Sequence, residues 1–245
     1  MSHYGDGCRY SSIRCLERSG SLVLHVDTGA NQAGTVMRFF TSDHHFNHHN
    51  IISYSSRPYG DVAEMNEALI NNWNDIVSKD DEVFCLGDFS MKIDTMFAIF
   101  PKLNGKKHLI AGNHDDFHPA NKRCKGDAVM SKIFLDTGWE TVQLEKNLVI
   151  GGIPVKLSHM PYRDDVLGTG IEGYTDKHLK HKLIDNKMVL LCGHVHNLWH
   201  TKLTSKGTLM VNVGVDVWDY RPVGEDQIIQ LITSISLDTA GPSLN

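Results

Sequence analysis

Five short motifs rich in aspartate, asparagine and histidine occur along the chain, and their side chains are of the kinds that bind metal ions. In chain order they are Asp43-His44-His45, Gly87-Asp88, Gly112-Asn113-His114-Asp115, His159 and Gly193-His194-Val195-His196. Histidine is also abundant, with 15 among 245 residues. The five cysteines form no C-x-x-C pair, so a thiolate zinc site is not indicated. The motifs therefore predict a metal centre with nitrogen and oxygen ligands.

The number of these side chains predicts two ions rather than one. The predicted ligands are two aspartates, one asparagine and four histidines: Asp43, His45, Asp88, Asn113, His159, His194 and His196. Seven ligands are too many for one catalytic ion that keeps an open position, but they suit two divalent ions, about 3.5–4 Å apart, that share a carboxylate. Mn²⁺ is the expected metal, and Fe, Zn²⁺ and Ni²⁺ suit the same donors. Two such ions can activate a water and hold a phosphoryl group for in-line displacement.

Each motif follows an apolar run that reads as a buried strand. These runs cover residues 36–40, 83–86, 108–111, 155–158 and 188–192. Because loops at strand ends are where a rigid scaffold presents functional groups, we expect the motifs to converge.

The remaining periodicity predicts an α/β fold. Helices are predicted over residues 61–78, with Asp61 as N-cap, 94–100 and 176–185. Further strands are predicted over residues 140–144, 148–150, 209–213 and 228–232. Alternating strands and helices followed by a strand-rich half predict stacked mixed sheets with helices outside.

Composition excludes several classes of protein. Hydrophobic residues make up 41% and charged residues 22%, which is typical of a globular chain and not of a disordered or coiled-coil one. The net charge of −5 provides no general basic field, so long nucleic acid is not an expected partner. No apolar run approaches the ~20 residues of a membrane span, and His25 interrupts the apolar run 22–26. We therefore expect a cytoplasmic protein without a membrane partner, and its oligomeric state is left open.

The first 36 residues read differently from the rest of the chain. They are polar and turn-rich apart from residues 21–26, which could pair with 36–40 as a β-hairpin. The other interpretation is a loosely attached extension before Met37. Under both interpretations residues 1–36 form an N-terminal extension, and residues 37–245 form a single domain.

The order D-x-H, G-D, G-N-H-D, H, G-H-x-H resembles the signature of the calcineurin-like metallophosphoesterases, over about residues 39–217. The resemblance implies a four-layer αββα sandwich of two mixed β-sheets flanked by helices, with the metals at the carboxyl ends of strands. It also implies a division of the ligands between the ions. Asp43, His45 and His196 would hold one ion, Asn113, His159 and His194 the other, and Asp88 would bridge them.

The same resemblance implies roles for residues that do not bind metal. His114 corresponds to a histidine near the leaving-group oxygen, and Asp115 would orient a histidine, with a loop cap as the alternative. The runs 42–52, 57–59 and 212–218 are similar to a small bacterial and phage branch of the superfamily. His48 is expected near the metals. Arg57 and Arg163 are candidates to neutralise a substrate phosphate, with a surface position as the alternative.

Differences from better-known branches narrow the expected substrate. The Asp-Arg-Gly that follows Gly-Asp in protein phosphatases and dinucleoside tetraphosphatases is absent after Asp88, and 245 residues leave little room for the capping domain of the repair nucleases. A small phosphodiester, derived from a nucleotide, is the predicted substrate, and residues 117–126 and a lid at 164–173 are expected to select it. The alternatives are a nuclease for RNA or DNA ends, a phosphomonoesterase and a non-catalytic scaffold.

Overall fold

Two five-stranded mixed sheets form the centre of the fold. The computed structural model describes residues 35–124, 127–163 and 178–240. In the first sheet β1 (Arg38–Thr41), β2 (Glu82–Cys85), β3 (Lys106–Ile110) and β4 (Thr141–Gln143) run parallel, and the short β10 (Val223–Gly224) pairs antiparallel with β1. The strand order is β10-β1-β2-β3-β4. The carboxyl ends of β1, β2 and β3 therefore lie side by side at one edge.

The second sheet has the order β5-β6-β7-β9-β8. Its strands are β5 (Glu145–Ile150), β6 (Ile153–Ser158), β7 (Val189–Cys192), β8 (Thr201–Leu203) and β9 (Leu209–Asn212). β6, β7 and β9 are parallel, whereas β5 and β8 pair antiparallel at the two edges. This sheet thus aligns the carboxyl ends of β6 and β7.

Helices connect and cover these strands. They are α1 (His49–Tyr54), α2 (Val62–Asn74), α3 (Ile93–Ile99), α4 (Asp127–Thr137) and α5 (Glu225–Ala240), and 3₁₀ turns lie at Phe100–Lys102, Leu179–His181 and Val215–Val217. The predicted cap of α2 is present, because the Asp61 carboxylate accepts hydrogen bonds from the N–H groups of Ala63 (2.8 Å) and Glu64 (2.9 Å). Such a cap stabilises a helix by about 1 kcal/mol.

Alternation of side chains along the first sheet creates two cores. Phe39, Val83 and Leu109 point to one face, where they pack with residues of α2, α3 and α4. Their neighbours Phe40, Phe84 and Ile110 point to the other face and pack against the second sheet. Because successive residues of a strand face opposite sides, each central strand has to be apolar on both faces. The predicted α/β sandwich of two mixed sheets with helices is confirmed.

Two of the predicted elements are wrong. Residues 228–232 were expected to form a strand but lie in α5, where Ile228 and Ile232 are four residues apart and bury the same face of the helix. Their β-branched side chains favour a strand locally, and packing of one helical face against the sheets outweighs that preference. The predicted helix at 176–185 is a single 3₁₀ turn at Leu179–His181 within its described part.

Some predictions fall on parts of the chain that are not described. The strand at 21–26 and the lid at 164–173 both lie outside the described residues. The described residues from Val36 onward belong to one compact unit. No helix in the described part is long and apolar enough to cross a bilayer.

Candidate metal centre

The loops that leave β1 and β2 run side by side beyond the sheet. The N–H groups of Asp43 and His45 donate to the carbonyls of Gly87 and Asp88, both at 3.0 Å. In the second sheet, Gly193 N–H donates to the carbonyl of His159 at 2.9 Å. A hydrogen bond from the N–H of His194 to Oδ2 of Asp43, at 2.9 Å, connects a loop of the second sheet to a loop of the first. The backbone therefore brings the motifs to one place, as their positions after strands predict.

The backbone of the predicted ligands is strained. Ten non-glycine residues of the described part have a positive φ, between 49° and 71°, and five of them are predicted ligands: Asp43, His45, Asp88, His194 and His196. The left-handed region costs a residue with a side chain about 1–2 kcal/mol. Strain of this kind persists where the surrounding structure imposes it, and it is concentrated at functional sites.

The ligand atoms form two overlapping groups. Asp43, His45 and His196 each offer one atom within 4.8 Å of the others, and so do Asp43, Asp88 and His159. Oδ2 of Asp88 lies 3.5 Å from Nε2 of His45 and 3.4 Å from Nε2 of His159. This carboxylate oxygen thus lies between His45 and His159, which the family resemblance assigns to different ions.

Several of these atoms are buried and have no hydrogen-bond partner. They include Oδ1 of Asp43, both ring nitrogens of His45, Oδ1 of Asn113 and Nε2 of His159. An unsatisfied buried polar group costs about 1–3 kcal/mol, so such a cluster is unfavourable unless something else binds it. Divalent cations satisfy carboxylate, amide and imidazole acceptors together, and the donor set therefore fits metal ions.

In two of the predicted ligand histidines, the ring nitrogen that faces away from the ligand atoms forms a hydrogen bond. The lone pair of the other ring nitrogen therefore points toward the ligand atoms. Nδ1 of His159 lies 2.7 Å from the carbonyl of Leu86, and Nδ1 of His196 lies 2.9 Å from Oδ2 of Asp216. Each Nδ1 therefore carries the proton in the neutral ring and leaves Nε2 free to bind metal.

Burial controls the charge of the histidines. It lowers the pKa of His45 well below its usual range and the pKa of His194 to about 3, so both rings are neutral and can act as ligands. Burial also acts to lower the pKa of His159, but the Asp88 carboxylate outweighs it and raises that pKa to about 10. A metal ion bound at this position would take the place of that proton beside the same carboxylate.

Two glycines allow the loops to approach one another. A Cβ at Gly112 would lie 2.3 Å from Oδ1 of Asp88 and 2.8 Å from Nδ1 of His159. A Cβ at Gly193 would lie 2.0 Å from Oγ of Ser42 and 2.3 Å from Oδ2 of Asp43. Any side chain at these positions would displace a ligand, which explains why glycine begins the third and fifth motifs.

His114 and Asp115 have different surroundings. The His114 side chain is 41% exposed, with Nε2 4.0 Å from Oδ2 of Asp88, so it lies at the rim of the cluster. The Asp115 carboxylate is buried and accepts hydrogen bonds from the N–H groups of Asp88 (2.8 Å), Phe89 (3.1 Å) and Gly112 (2.8 Å). Asp115 thus connects the loops of the second and third motifs through their backbone N–H groups, which is the position that the loop-cap alternative describes.

Arg57 has a different position from the one expected for a phosphate-binding residue. Its side chain is fully buried, and Nε and Nη2 bind the two carboxylate oxygens of Asp216 at 2.8 and 3.0 Å. Nη2 and Nη1 also donate to the carbonyls of Asp43 (2.6 Å) and His44 (2.8 Å). Because these groups occupy the guanidinium, Arg57 supports the first ligand loop instead of contacting substrate.

Asp216 is a site residue to which sequence reasoning assigned no role, although the run 212–218 was noted. Its carboxylate accepts from Arg57 and from Nδ1 of His196, and so connects the first and fifth motifs. Asn212, in the same run, donates to the carbonyls of His196 (2.7 Å) and Trp199 (2.9 Å). The sequence offered one signal for this ion pair. Each of the runs 57–59 and 212–218, which resemble the bacterial and phage branch, contains a charged residue, Arg57 in the first and Asp216 in the second.

The other predicted residues lie around the cluster. The His48 ring is 5.4 Å from that of His45, and its Nδ1 is buried without a partner. His44 is a core residue that stacks on Phe46 at 5.3 Å. Arg163 is exposed and forms an isolated bridge with Ile184, so its predicted contact with substrate stays a prediction.

Three histidines outside the motifs also lie nearby. The His178 ring is 5.5 Å from that of His194, and the His118 and His181 rings are 5.3 Å apart. His118 and His181 line a cavity of about 240 Å³ that also contacts the predicted ligand His159. Residue 118 belongs to the segment 117–126 that was expected to contact substrate. None of these three histidines follows a predicted strand, so the sequence pattern that indicates the ligands does not include them.

Comparison with known proteins agrees with this geometry. Residues 39–225 match the family model of the calcineurin-like phosphoesterase superfamily domain. An uncharacterized protein of Methanocaldococcus jannaschii is 31% identical over 199 residues, which cover 79% of this chain and 90% of that protein. The Gene 66 protein of Mycobacterium phage L5 is 30% identical over 211 residues, covering 80% of this chain and 94% of that protein.

A solved structure extends the similarity to the fold. The crystal structure of a protein of unknown function from Aquifex aeolicus superimposes with a TM-score of 0.55 and 25% identity, covering 80% of this chain and all of that one. The phage relative agrees with the predicted bacterial and phage branch. Since the family model spans the strands and all five motifs, the chain belongs to the calcineurin-like phosphoesterase superfamily.

Proposed function

We propose that the protein is a two-metal phosphodiesterase that hydrolyses a small, nucleotide-derived phosphodiester. The observation that carries the proposal is the cluster of buried ligand atoms without protein partners at the ends of β1, β3 and β6. Asp43, His45 and His196 would hold one ion, Asn113, His159 and His194 the other, with Asp88 shared. When bound, two such ions supply positive charge for phosphoryl oxygens and lower the pKa of a water.

The protein's own groups have separate tasks in this reaction. Asp115 and Arg57 hold the ligand loops, and the hydrogen bond that Nδ1 of His196 donates to Asp216 keeps Nε2 of that ring directed inward. His114, at the rim, is placed to donate a proton from its ring to the leaving-group oxygen. Strained ligands that are held before substrate arrives reduce the reorganisation needed during reaction.

The position of Arg57 favours a diester over a monoester. A phosphomonoester carries up to two negative charges near neutral pH, and a diester carries one. Of the two arginines that are candidates to neutralise a phosphate, Arg57 is instead bound to Asp216. A site with less protein positive charge is better matched to the singly charged substrate.

The substrate profile of the metal-loaded protein tests the proposal. Protein reconstituted with Mn²⁺ should hydrolyse bis-p-nitrophenyl phosphate with a higher kcat/KM than p-nitrophenyl phosphate, and a chelator should abolish both activities. The Asp88→Asn variant is the control, because a neutral amide cannot balance two dications, and it should lose metal and activity together. A higher kcat/KM for the monoester would contradict the diesterase assignment. Preferential trimming of short oligonucleotides would instead favour the nuclease alternative.

A further inference from the structure

A cavity of about 240 Å³ lies next to the predicted metal ligand His159. His159 contributes its Nε2 to the ligand cluster and also forms part of the cavity wall. A group bound in the cavity is therefore adjacent to the phosphoryl position of the proposed function. An apolar cavity of about 150 Å³ is enough to hold benzene, so this one has room for a substituted ring.

The wall of the cavity is suited to an uncharged group. Leu144, Met160 and Leu183 provide apolar contacts. None of the described lining residues is a lysine or an arginine, and the carboxylate of Glu145 is paired with Lys156 at 3.0 Å. A second phosphate or a carboxylate would find no lysine or arginine in this wall, and the proposed function assigns Nε2 of His159 to a metal ion, so the desolvation of such an anion would be costly.

His118 adds one directed hydrogen-bond donor. Its Nδ1 accepts a hydrogen bond from the N–H of Ala120 at 3.0 Å, so the proton of the neutral ring is on Nε2. Nε2 has no hydrogen-bond partner among the described residues. Burial and the neighbouring His159 lower the pKa of His118 to about 4, which agrees with a neutral ring. The cavity thus combines apolar walls with one ring N–H that can donate a hydrogen bond to a bound group.

We propose that this cavity binds an uncharged ring of the substrate's ester group, of the kind found in a pyrimidine base, with an acceptor atom of the ring facing Nε2 of His118. The inference rests on the proposed phosphodiesterase function and specifies what the diester carries beyond its phosphate. A preformed cavity with few polar groups is typical of a specificity site for a small molecule.

Two diesters with the same leaving group test the inference. Thymidine 5′-(p-nitrophenyl phosphate) carries a pyrimidine ring, and methyl p-nitrophenyl phosphate carries none, while both release p-nitrophenolate. The ratio of their kcat/KM values reports recognition of the remote ring, because damage to the metal centre lowers both values together. The wild type should prefer the thymidine ester.

Two variants should reduce that ratio. His118→Ala removes one hydrogen bond and should lower the ratio about 2- to 10-fold. Leu144→Trp places an indole at the mouth of the cavity and should remove most of the preference, at little cost to folding because Leu144 is 40% exposed. Leu135→Trp is the matched control, since Leu135 is similarly exposed on α4, does not line the cavity and should leave the ratio unchanged.

The possible results separate the two proposals. A wild type that hydrolyses both esters without preference, or a preference that both cavity variants retain, would overturn the cavity assignment alone. A metal-loaded wild type that hydrolyses neither ester would overturn the proposed function and the cavity assignment with it.

Discussion

Individual side chains at this site differ in burial, and the proposed function assigns them different tasks, metal binding or proton transfer. Asp88 is buried between His45 and His159, whereas the His114 ring is partly exposed and lies outside both groups of ligand atoms. A buried carboxylate among imidazoles is suited to balance the charge of cations. An exposed ring at the rim can reach a leaving group and exchange protons with water.

His114→Ala should therefore retain both metal ions and lose turnover. General-acid assistance is typically worth about 10²–10⁴-fold, and it matters most for a poor leaving group. The loss should be large for release of a ribose or alkoxide oxygen and small for release of p-nitrophenolate, which needs little protonation. Elemental analysis and kcat on both kinds of ester provide the measurement. Loss of a metal in this variant would show that the ligand assignment is wrong.

At the scale of elements, an ion pair holds the first ligand loop against the end of the second sheet. Arg57 follows α1 and binds the carbonyls of Asp43 and His44, and Asp216 in the Val215–Val217 turn binds both Arg57 and His196. The two charged side chains are almost fully buried, at 0% and 1% exposed. Removing one partner of a buried pair typically costs about 3–5 kcal/mol, because the other charge remains without compensation.

Asp216→Asn should weaken both the fold and metal binding. The free energy of unfolding should fall by about 3 kcal/mol, and metal affinity by about 10–100-fold, as expected when a residue that orients a ligand is changed. Denaturant unfolding and metal titration of the folded protein measure the two effects.

A surface ion pair provides the matched control for this variant. Asp75 pairs with Arg221 at 3.3 Å, and the two side chains are 59% and 41% exposed. Asp75→Asn should change stability by no more than about 1 kcal/mol and leave metal binding unchanged. Wild-type metal affinity in Asp216→Asn would refute the orienting role of Asp216, even if stability fell.

For the molecule as a whole, metal binding should stabilise the association of the two sheets. The ligands come from loops after β1, β2 and β3 in one sheet and after β6 and β7 in the other. Their buried unpaired atoms are unfavourable without ions, and a cation that binds only the folded state shifts the unfolding equilibrium.

Mn²⁺ at a free concentration 100 times its Kd should therefore raise the Tm relative to chelator-treated protein. Binding stabilises the folded state by about 2.7 kcal/mol for each ion, which corresponds to a rise in Tm of about 5–10 °C per ion for a domain of this size. Thermal unfolding with and without Mn²⁺ measures this rise in Tm. The Tm of the Asp88→Asn variant should change little when Mn²⁺ is added. An unchanged Tm in the wild type would argue against a metal centre in this position.

The sequence alone was sufficient to predict the central strands and to show that a polar motif follows each of them. Apolar runs such as 83–86 and 108–111 are short, flanked by turn residues and followed by polar groups, and these are local properties that a single chain displays. The confirmed sandwich follows from them, because parallel strands place their carboxyl ends at one edge. Residue types at that edge indicated metal chemistry, since ligand preference is a property of the side chain itself.

Only the tertiary structure decided what the other polar residues do. Arg57 and Asp216 are 159 residues apart in the chain, and nothing local shows that the arginine points inward to bind the carboxylate. Asp115 holds backbone N–H groups of two loops, and His118 lines a cavity, because folding places them there. The strand predicted at 228–232 became part of α5 for the same reason. Partners distant in sequence, and the burial they impose, determine the role of a polar or β-branched residue more strongly than its own local preference.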